Sequence, residues 1–353
     1  MKLALITDLH FGSRNDNLKV AEHQKRFYDD VFFPFLREND ISTVVDLGDT
    51  FDRRKYISFT SLQAAKKMFF DPLASNDIEL HALVGNHDSV YKNTIELNSI
   101  YLLTDGYANV NEYIKPTEVD FDGTLIAMIP WICKDNIEAT TELITNTKAQ
   151  VCFGHLELKG FEMYKGQIIY DGMDSKLFSN FDIVCSGHFH HKSTTGNINY
   201  LGAPYEMTWS DYDDPRGFHV FDTATRELTY IQNPYTMFHK IWYDDTDLTF
   251  EDINAMDVSE VQNSFVKLVI KTKDNPYLFD TFVSKLEDQN LINLQVVEDH
   301  LHLDLEDDED IIDEAEDTLT ILDKYIDGLE ISANKQQLQS LMKNLYNEAL
   351  AIE

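Results

Sequence analysis

The sequence is short of positive charge, of cysteine and of unbroken apolar runs. Its 353 residues carry 29 Lys and Arg against 62 Asp and Glu, a formal net charge of −33. Phosphate binding ordinarily rests on basic side chains, so this balance argues against a chain that grips a polyanion through its own surface alone. Two features soften that argument. Residues 301–353 hold 15 acids and 3 bases, a net of −12, so part of the excess is local. Bound divalent cations can also invert the field where chemistry happens. The three cysteines, Cys133, Cys152 and Cys185, include no closely spaced pair and leave one over. A disulfide framework is therefore excluded, and the cytosol, hence a cytoplasmic location, is the expected compartment. No apolar run approaches the roughly 18 residues that a membrane span requires. Met1-Lys2 leads directly into the strand-length run Leu3–Thr7, so no secretory leader is expected either. What the chain has in quantity is aromatic side chains: 22 Phe and 17 Tyr exclude wholesale disorder and promise a real core.

From Met1 to about Asp222, short β-rich runs ending in small or polar residues alternate with amphipathic stretches. The expected strands are Leu3–Thr7, Thr43–Leu47, Ile78–Val84, Leu125–Ile129, Gln150–Phe153, Asp182–Ser186, Ile198–Leu201, Phe218–Phe221 and Glu227–Ile231. The expected helices are Leu18–Glu38, kinked or ended by Pro34, Ser58–Ala74, Thr94–Leu103 and Asn136–Thr147. Strands alternating with helices, then strands alone, predict a layered α/β domain on two packed sheets. Composition changes near Met237–Asp244, and Phe265–Ile270, Tyr277–Asp288 and Leu294–Val297 read as a strand–helix–strand unit. An acidic stretch over Glu298–Asp317 reads as a solvated linker. Beyond it, Leu338, Leu341, Met342, Leu345, Ala349 and Ile352 follow 3.6-residue spacing and mark one apolar helix face.

Five segments share one placement, each following an expected strand. They are Asp8-Leu9-His10, Gly48-Asp49-Thr50-Phe51-Asp52, Gly85-Asn86-His87-Asp88, Gly154-His155 and Gly187-His188-Phe189-His190. In open α/β sheets, polar residues at strand ends converge on one crevice. If strand geometry persists, residues i and i+2 of D-x-H and H-x-H face the same side. The donors are carboxylate, imidazole and one amide, a set suited to Mn²⁺, Fe²⁺ or Zn²⁺, and no cysteine lies among them. Asp8, His10, Asp49, Asn86, His155, His188 and His190 are too many for one tetrahedral centre. They fit two metals about 3.5–4 Å apart with one carboxylate between them, an arrangement that activates water and neutralises charge at phosphorus. Neither G-x-S-x-G nor G-x-x-x-x-G-K-[ST] occurs. His23, His81, His191, His219, His239, His300 and His302 lack such context and are assigned core or surface roles. Arg53 and Arg54, beside the second motif, are left outside the site.

The order of these motifs resembles the calcineurin-like metallophosphoesterase superfamily over residues 1 to about 222. Within it, the chain is similar to the nuclease subunits of SbcCD and Mre–Rad complexes, which process DNA double-strand breaks, and above all to the recombination endonuclease subunits of tailed phages. Three details carry the finer resemblance. The third motif ends in Asp88, the second continues Asp52-Arg53-Arg54, and Tyr200-Leu201-Gly202-Ala203-Pro204 with Gly217-Phe218 resembles the stretch that closes the nuclease domain. The resemblance implies a four-layer α-β-β-α sandwich over 1–236, a small α+β capping domain over 237–298, an acidic linker over 299–311, and a helical segment over 312–353 that docks a coiled-coil SbcC/Rad-type ATPase. It implies a manganese enzyme, with Mg²⁺ as alternative, that cuts DNA as exonuclease and endonuclease in recombination and repair. One metal would sit on Asp8, His10, Asp49 and His190, the other on Asp49, Asn86, His155 and His188. His87 would face the scissile phosphate and protonate the leaving oxygen, oriented by Asp88. Some relatives carry a histidine where Asp52 stands, so a second substrate-facing histidine is missing. A homodimer through Ser58–Ala74 and Thr94–Leu103 is implied as well. The rival readings are a phosphatase or phosphodiesterase of the same superfamily acting on other substrates, and a scaffold without chemistry.

Overall fold

Alternation within the first strand sets the plan of the molecule: Leu3 and Leu5 point to one side, Ala4 and Ile6 to the other, and all four are buried. Both faces of such a strand need cover, so the sheet it belongs to must be an inner layer. The computed structural model describes residues 1–170 and 172–298, and its strands in chain order are as follows. The first seven are β1 (Lys2–Ile6), β2 (Thr43–Asp46), β3 (Glu79–Leu83), β4 (Val110–Tyr113), β5 (Thr117–Phe121), β6 (Thr124–Ile129) and β7 (Val151–His155). Then come β8 (Glu162–Tyr164), β9 (Gln167–Ile168), β10 (Ile183–Gly187), β11 (Ser193–Thr195), β12 (Ile198–Tyr200), β13 (Gly217–Asp222) and β14 (Leu228–Gln232). Last are β15 (Phe238–Asp244), β16 (Phe265–Thr272) and β17 (Asn293–Glu298).

Two six-stranded sheets, ordered β14-β13-β1-β2-β3-β4 and β11-β12-β10-β7-β6-β5, pack face to face. Leu3, Leu5, Val45, Leu47 and Leu83 of the first meet Met128, Val151, Phe153 and Cys185 of the second. The outer face of the first sheet packs on helices through Phe27, Tyr28, Phe32, Phe69 and Leu73. The outer face of the second packs on Ile144, Phe178 and Phe181. The layers are therefore α-β-β-α. The strands that precede the motifs run parallel: β1 with β2, β2 with β3, and β7 with β10. Their carboxyl ends therefore share one edge.

Three elements differ from expectation. Pro34 neither kinks nor ends its helix. Leu18–Phe27 passes through a π-turn, Tyr28–Phe32, into Phe33–Glu38. Phe59–Ala65 does the same through Lys66–Phe70 into Asp71–Ser75, ahead of Pro72. The wide turn puts each proline at the start of a new α segment, where its missing N–H breaks no α-type bond. The helix expected over Thr94–Leu103 is confined to Ser99–Thr104, because Asn98 caps it by accepting from Tyr101 N. Strands β4, β5 and β11 escaped the sequence reading because they are sheet edges or neighbours of edges, half exposed and interspersed with acids, asparagine and threonine.

Strand β15 was missed too, and it completes a parallel sheet β15-β16-β17 with helices Phe250–Ala255 and Pro276–Glu287. That lobe has its own core of Tyr243, Val266, Leu268, Leu278, Phe282 and Leu286. A small cluster of Val20, Met237, Phe238 and Phe265 joins it to the sandwich. The acidic stretch from 299 and the apolar helix face at the chain's end lie outside the described residues. Among those described, no helix is long and apolar enough to cross a membrane.

Candidate metal centre

All seven donor residues meet at the shared edge of the two sheets. Asp8 and His10 follow β1, Asp49 follows β2, and Asn86 follows β3; His155 ends β7, while His188 and His190 follow β10. The means of convergence is not the one expected. Strand alternation has ended before each pair, and Asp8, His10, Asp49 and His188 adopt left-handed backbone with φ of 54°, 43°, 59° and 87°. Non-glycine residues hold such angles only where their surroundings dictate it. Here the neighbouring loop does so: Asp8 N donates to Gly48 O at 2.9 Å and His10 N to Asp49 O at 3.0 Å. Two glycines allow the loops to close up. A Cβ on Gly85 would lie 2.2 Å from Asp49 Oδ1, and one on Gly187 would lie 1.9 Å from Thr7 Oγ1.

The donors form two groups. In the first, Nε2 of His10 lies 3.2 Å from Nε2 of His190, and both are 3.9 Å from Asp8 Oδ1. In the second, Nε2 of His155 lies 3.3 Å from Asp49 Oδ2 and 2.9 Å from Asn86 Oδ1, and Asn86 Oδ1 is 2.9 Å from His188 Nδ1. Asp49 stands between them, its Oδ2 also 3.9 Å from His10 Nε2. A third set, His10, Asp52 and His87, overlaps the first.

The chemistry of these donors asks for a cation. His155 Nδ1 lies 2.8 Å from the Leu47 carbonyl, which can only accept, so the ring proton sits there and the neutral ring turns a lone pair inward. That lone pair, Asn86 Oδ1 and Asp49 Oδ2 are three acceptors aimed at one another with no donor among them. In this orientation the Asn86 side chain also turns its Nδ2 toward Arg54 Nη2, 2.9 Å away, which sets donor against donor. Only a positive charge within the cluster makes the arrangement favourable, and a divalent metal fits. Metal ions of this kind are what the family reported below implies.

The titration behaviour agrees. Burial raises the Asp8 carboxyl above its ordinary range. Burial opposes the Asp49 charge, but His155 and then His87 outweigh it and hold the carboxyl well below that range. Burial lowers His155 and His10, yet Asp49 acts on His155, and Asp52 with Asp49 on His10, to bring each to about 9. Burial and then the neighbouring His155 take His188 down to about 3. Buried carboxylates thus draw protons onto imidazoles that would otherwise be free to bind metal.

His87 lies in the cleft, its N–H donating to Asp49 Oδ1 at 2.7 Å. Its Nδ1 is 2.6 Å from the carbonyl of Asp52, so the proton sits on that nitrogen and Nε2 is the nitrogen left for a ligand. Asp88 does not orient it, contrary to expectation. The buried Asp88 carboxylate accepts from Asp49 N at 2.8 Å, Gly85 N at 2.9 Å, Phe51 N at 3.3 Å and Ser99 Oγ at 3.1 Å. It clamps the second motif to the third; its short side chain is spent on backbone amides and cannot also reach the imidazole.

The cleft, about 460 Å³, is also lined by Arg14, Asn15, Met163, Tyr164, Met207 and Thr208. None of these carried a signal in the sequence, since they come from loops and a hairpin whose position only the fold determines. Arg216 was missed for the same reason. It is buried, pairs with Asp211 and Asp214 at 2.8 Å each, and donates to the carbonyl of His190, bracing that residue from behind. His191 pairs with Asp214 at 2.9 Å. His23, His81, His219 and His239 do not line the cleft.

Residues 1–192 match the family described as calcineurin-like phosphoesterase. Exonuclease subunit 1 of Enterobacteria phage T4 is 33% identical over 351 residues, covering 99% of each chain. An SbcCD nuclease subunit of Staphylococcus saprophyticus is 24% identical over 255 residues, covering 65% of this chain and 67% of that one. A solved archaeal phosphodiesterase aligns at 12% identity with a TM-score of 0.33, over 66% of this chain and 100% of that one.

Proposed function

The chain belongs to the calcineurin-like phosphoesterase family, and from that premise we propose how it works as the nuclease subunit of a DNA-processing complex. It is a metal-dependent phosphodiesterase that hydrolyses DNA. Asp8, His10, Asp49 and His190 hold one divalent ion; Asp49, Asn86, His155 and His188 hold the other. The observation that carries this reading is the convergence of Asn86 Oδ1, His155 Nε2 and Asp49 Oδ2, three acceptors in need of a cation. The mixed oxygen and nitrogen set favours Mn²⁺, with Mg²⁺ next. Bound there, the ions supply positive charge at the scissile phosphate and acidify the attacking water. The chain's own residues do the rest. Backbone amides hold the carboxylates, as His188 N does for Asp8 at 3.1 Å and His87 N for Asp49. His87, with Nδ1–H fixed on Asp52 O, keeps Nε2 facing the cleft; protonated, it donates to the leaving oxygen. Asp88 is a positioning residue.

The proposed domains are the nuclease sandwich (1–236), the cap (237–298), the linker (299–311) and a docking segment (312–353). The partner subunit is a coiled-coil ATPase of SbcC/Rad type, which supplies the basic DNA-holding surface that a chain of −33 lacks. A homodimer forms through the exposed apolar side chains Phe59, Leu97, Tyr101 and Leu102. The test is cleavage of linear duplex and single-stranded DNA by the purified chain with Mn²⁺, with Mg²⁺ and with EDTA, beside p-nitrophenyl phosphate. Mn²⁺-dependent cleavage abolished by EDTA is expected. Cleavage that persists in EDTA, or hydrolysis of p-nitrophenyl phosphate alone, overturns the reading.

A further inference from the structure

Arg54 stands where the donors and acceptors of the site fail to match. Its half-buried guanidinium brings Nη2 to 2.9 Å from the amide end of Asn86 that faces away from the donor cluster. Its neighbour Arg53 is committed, donating to Tyr56 Oη at 2.7 Å and to Asn15 Oδ1. Arg54 has no such acceptor among the described residues while Asn86 keeps Oδ1 on the cluster. Reversing the amide changes every contact. Asn86 Nδ2 then donates to His155 Nε2 at 2.9 Å, to Asp49 Oδ2 at 3.2 Å and to His188 Nδ1 at 2.9 Å, and Oδ1 accepts from Arg54 at 2.9 Å. The two orientations are exclusive. One offers the cluster an oxygen and faces Arg54 with a donor; the other offers the cluster hydrogens and holds Arg54.

We propose that Asn86 is a two-position switch that couples the metal centre to Arg54, and that Arg54 is a substrate-binding residue for a DNA phosphate. When the centre is loaded, Asn86 must present Oδ1 to it, and Arg54 is released beside the cleft with a full charge and no protein acceptor. A guanidinium so placed takes an anion, and a phosphate held at this cleft is the anion the site exists to meet. When the centre is empty, Asn86 reverses and takes Arg54 back. DNA capture through Arg54 is thereby reserved for the loaded enzyme. This inference rests on the assignment of Asn86 as a metal ligand.

Two measurements on the full chain test it. The first is calorimetric titration of Mn²⁺ in the absence of DNA. Loading must break the Asn86–Arg54 bond, so Arg54→Ala should bind Mn²⁺ more tightly than the parent, by about threefold or more given the worth of a hydrogen bond to a charged group. The second is fluorescence anisotropy with a labelled duplex, in a His87→Ala background that keeps the duplex intact. Mn²⁺ should tighten duplex binding, and Arg54→Ala should remove roughly tenfold of that metal-dependent gain while leaving metal-free binding unchanged. Asn86→Asp supplies an independent arm, because a carboxylate offers oxygen at both ends. It should keep Mn²⁺ yet hold Arg54 permanently and lose the metal-dependent gain. Weaker Mn²⁺ binding by Arg54→Ala, or an undiminished metal-dependent gain in it, overturns the proposal while the metal assignment stands. No Mn²⁺ binding by the parent overturns both.

Discussion

At the scale of single residues, three side chains separate holding a metal, moving a proton and fixing a loop. Asp49 stands between the two donor groups, so Asp49→Ala should lower metal content below one equivalent by mass spectrometry. Cleavage should then drop by more than the ~10–100-fold that follows loss of a group merely supporting a ligand. Two retained equivalents with normal activity would remove the bridging role. His87→Ala should keep both ions and the fold while kcat declines by roughly 10²–10⁴-fold, the usual worth of a general acid. If metal content falls with it, His87 is a ligand instead. Asp88→Asn leaves one oxygen to serve amides of two loops, so it should weaken metal affinity without shifting the pH profile of kcat. A shifted profile would return Asp88 to the role of orienting His87. The residue types at these positions announce their chemistry in the sequence; Asp88 shows the limit, since a carboxylate next to a histidine in sequence can serve another loop in space.

At the scale of elements, the motifs work because loops touch where no side chain intervenes. Gly85→Ala would drive a methyl group into the backbone and carboxylate of Asp49. Overpacking of this kind costs about 1–3 kcal/mol, and displacement of the second loop should add a loss of metal affinity. Thermal melting with and without Mn²⁺ checks both, and an unchanged Mn²⁺-induced shift would show that the loops tolerate separation. A second joint lies between sandwich and lobe. The buried Glu206 carboxylate accepts from Met237 N at 2.5 Å and Phe238 N at 2.9 Å, at the start of β15. Burial pushes it up to about 7 against the pull of those two amides. Its folded pKa thus exceeds its unfolded value near 4.5. The folded chain binds this proton more tightly, so the stability it contributes is complete below about pH 4.5 and is lost as pH rises through about 7. Glu206→Gln should flatten that part of the stability profile, as read by melting temperature across the interval. An unaltered profile would mean that the carboxylate is relieved by solvent.

At the scale of the whole molecule, charge and partner are one problem. A chain at −33 should bind duplex weakly alone, with a shallow dependence on salt, because few phosphates are neutralised by its own bases. Deleting residues 312–353 should leave metal-dependent cleavage by the isolated chain intact and abolish co-purification with the ATPase, since the apolar stripe of that segment is too small to form a core of its own. Continued binding of the ATPase by the truncated chain would place the docking surface elsewhere. An insoluble truncation would show that the segment packs on the sandwich.

The sequence by itself determined which chemistry is possible and where along the chain it lies. Donor types follow from composition at strand ends, and strand ends follow from short apolar runs closed by glycine, aspartate and histidine. Local patterning also sufficed for the parallel strands that form the inner layers, because a strand buried on both faces is apolar throughout. Edge strands, the π-turns ahead of Pro34 and Pro72, and the left-handed bends at Asp8, His10, Asp49 and His188 were decided only by tertiary structure. Each exists because a neighbour distant in sequence supplies the hydrogen bond or the cover that makes it favourable. The same holds for the Asn86 amide, whose orientation is a contest between His155, His188 and Arg54. No local pattern can express that contest, because its contestants meet only when two sheets close on one another.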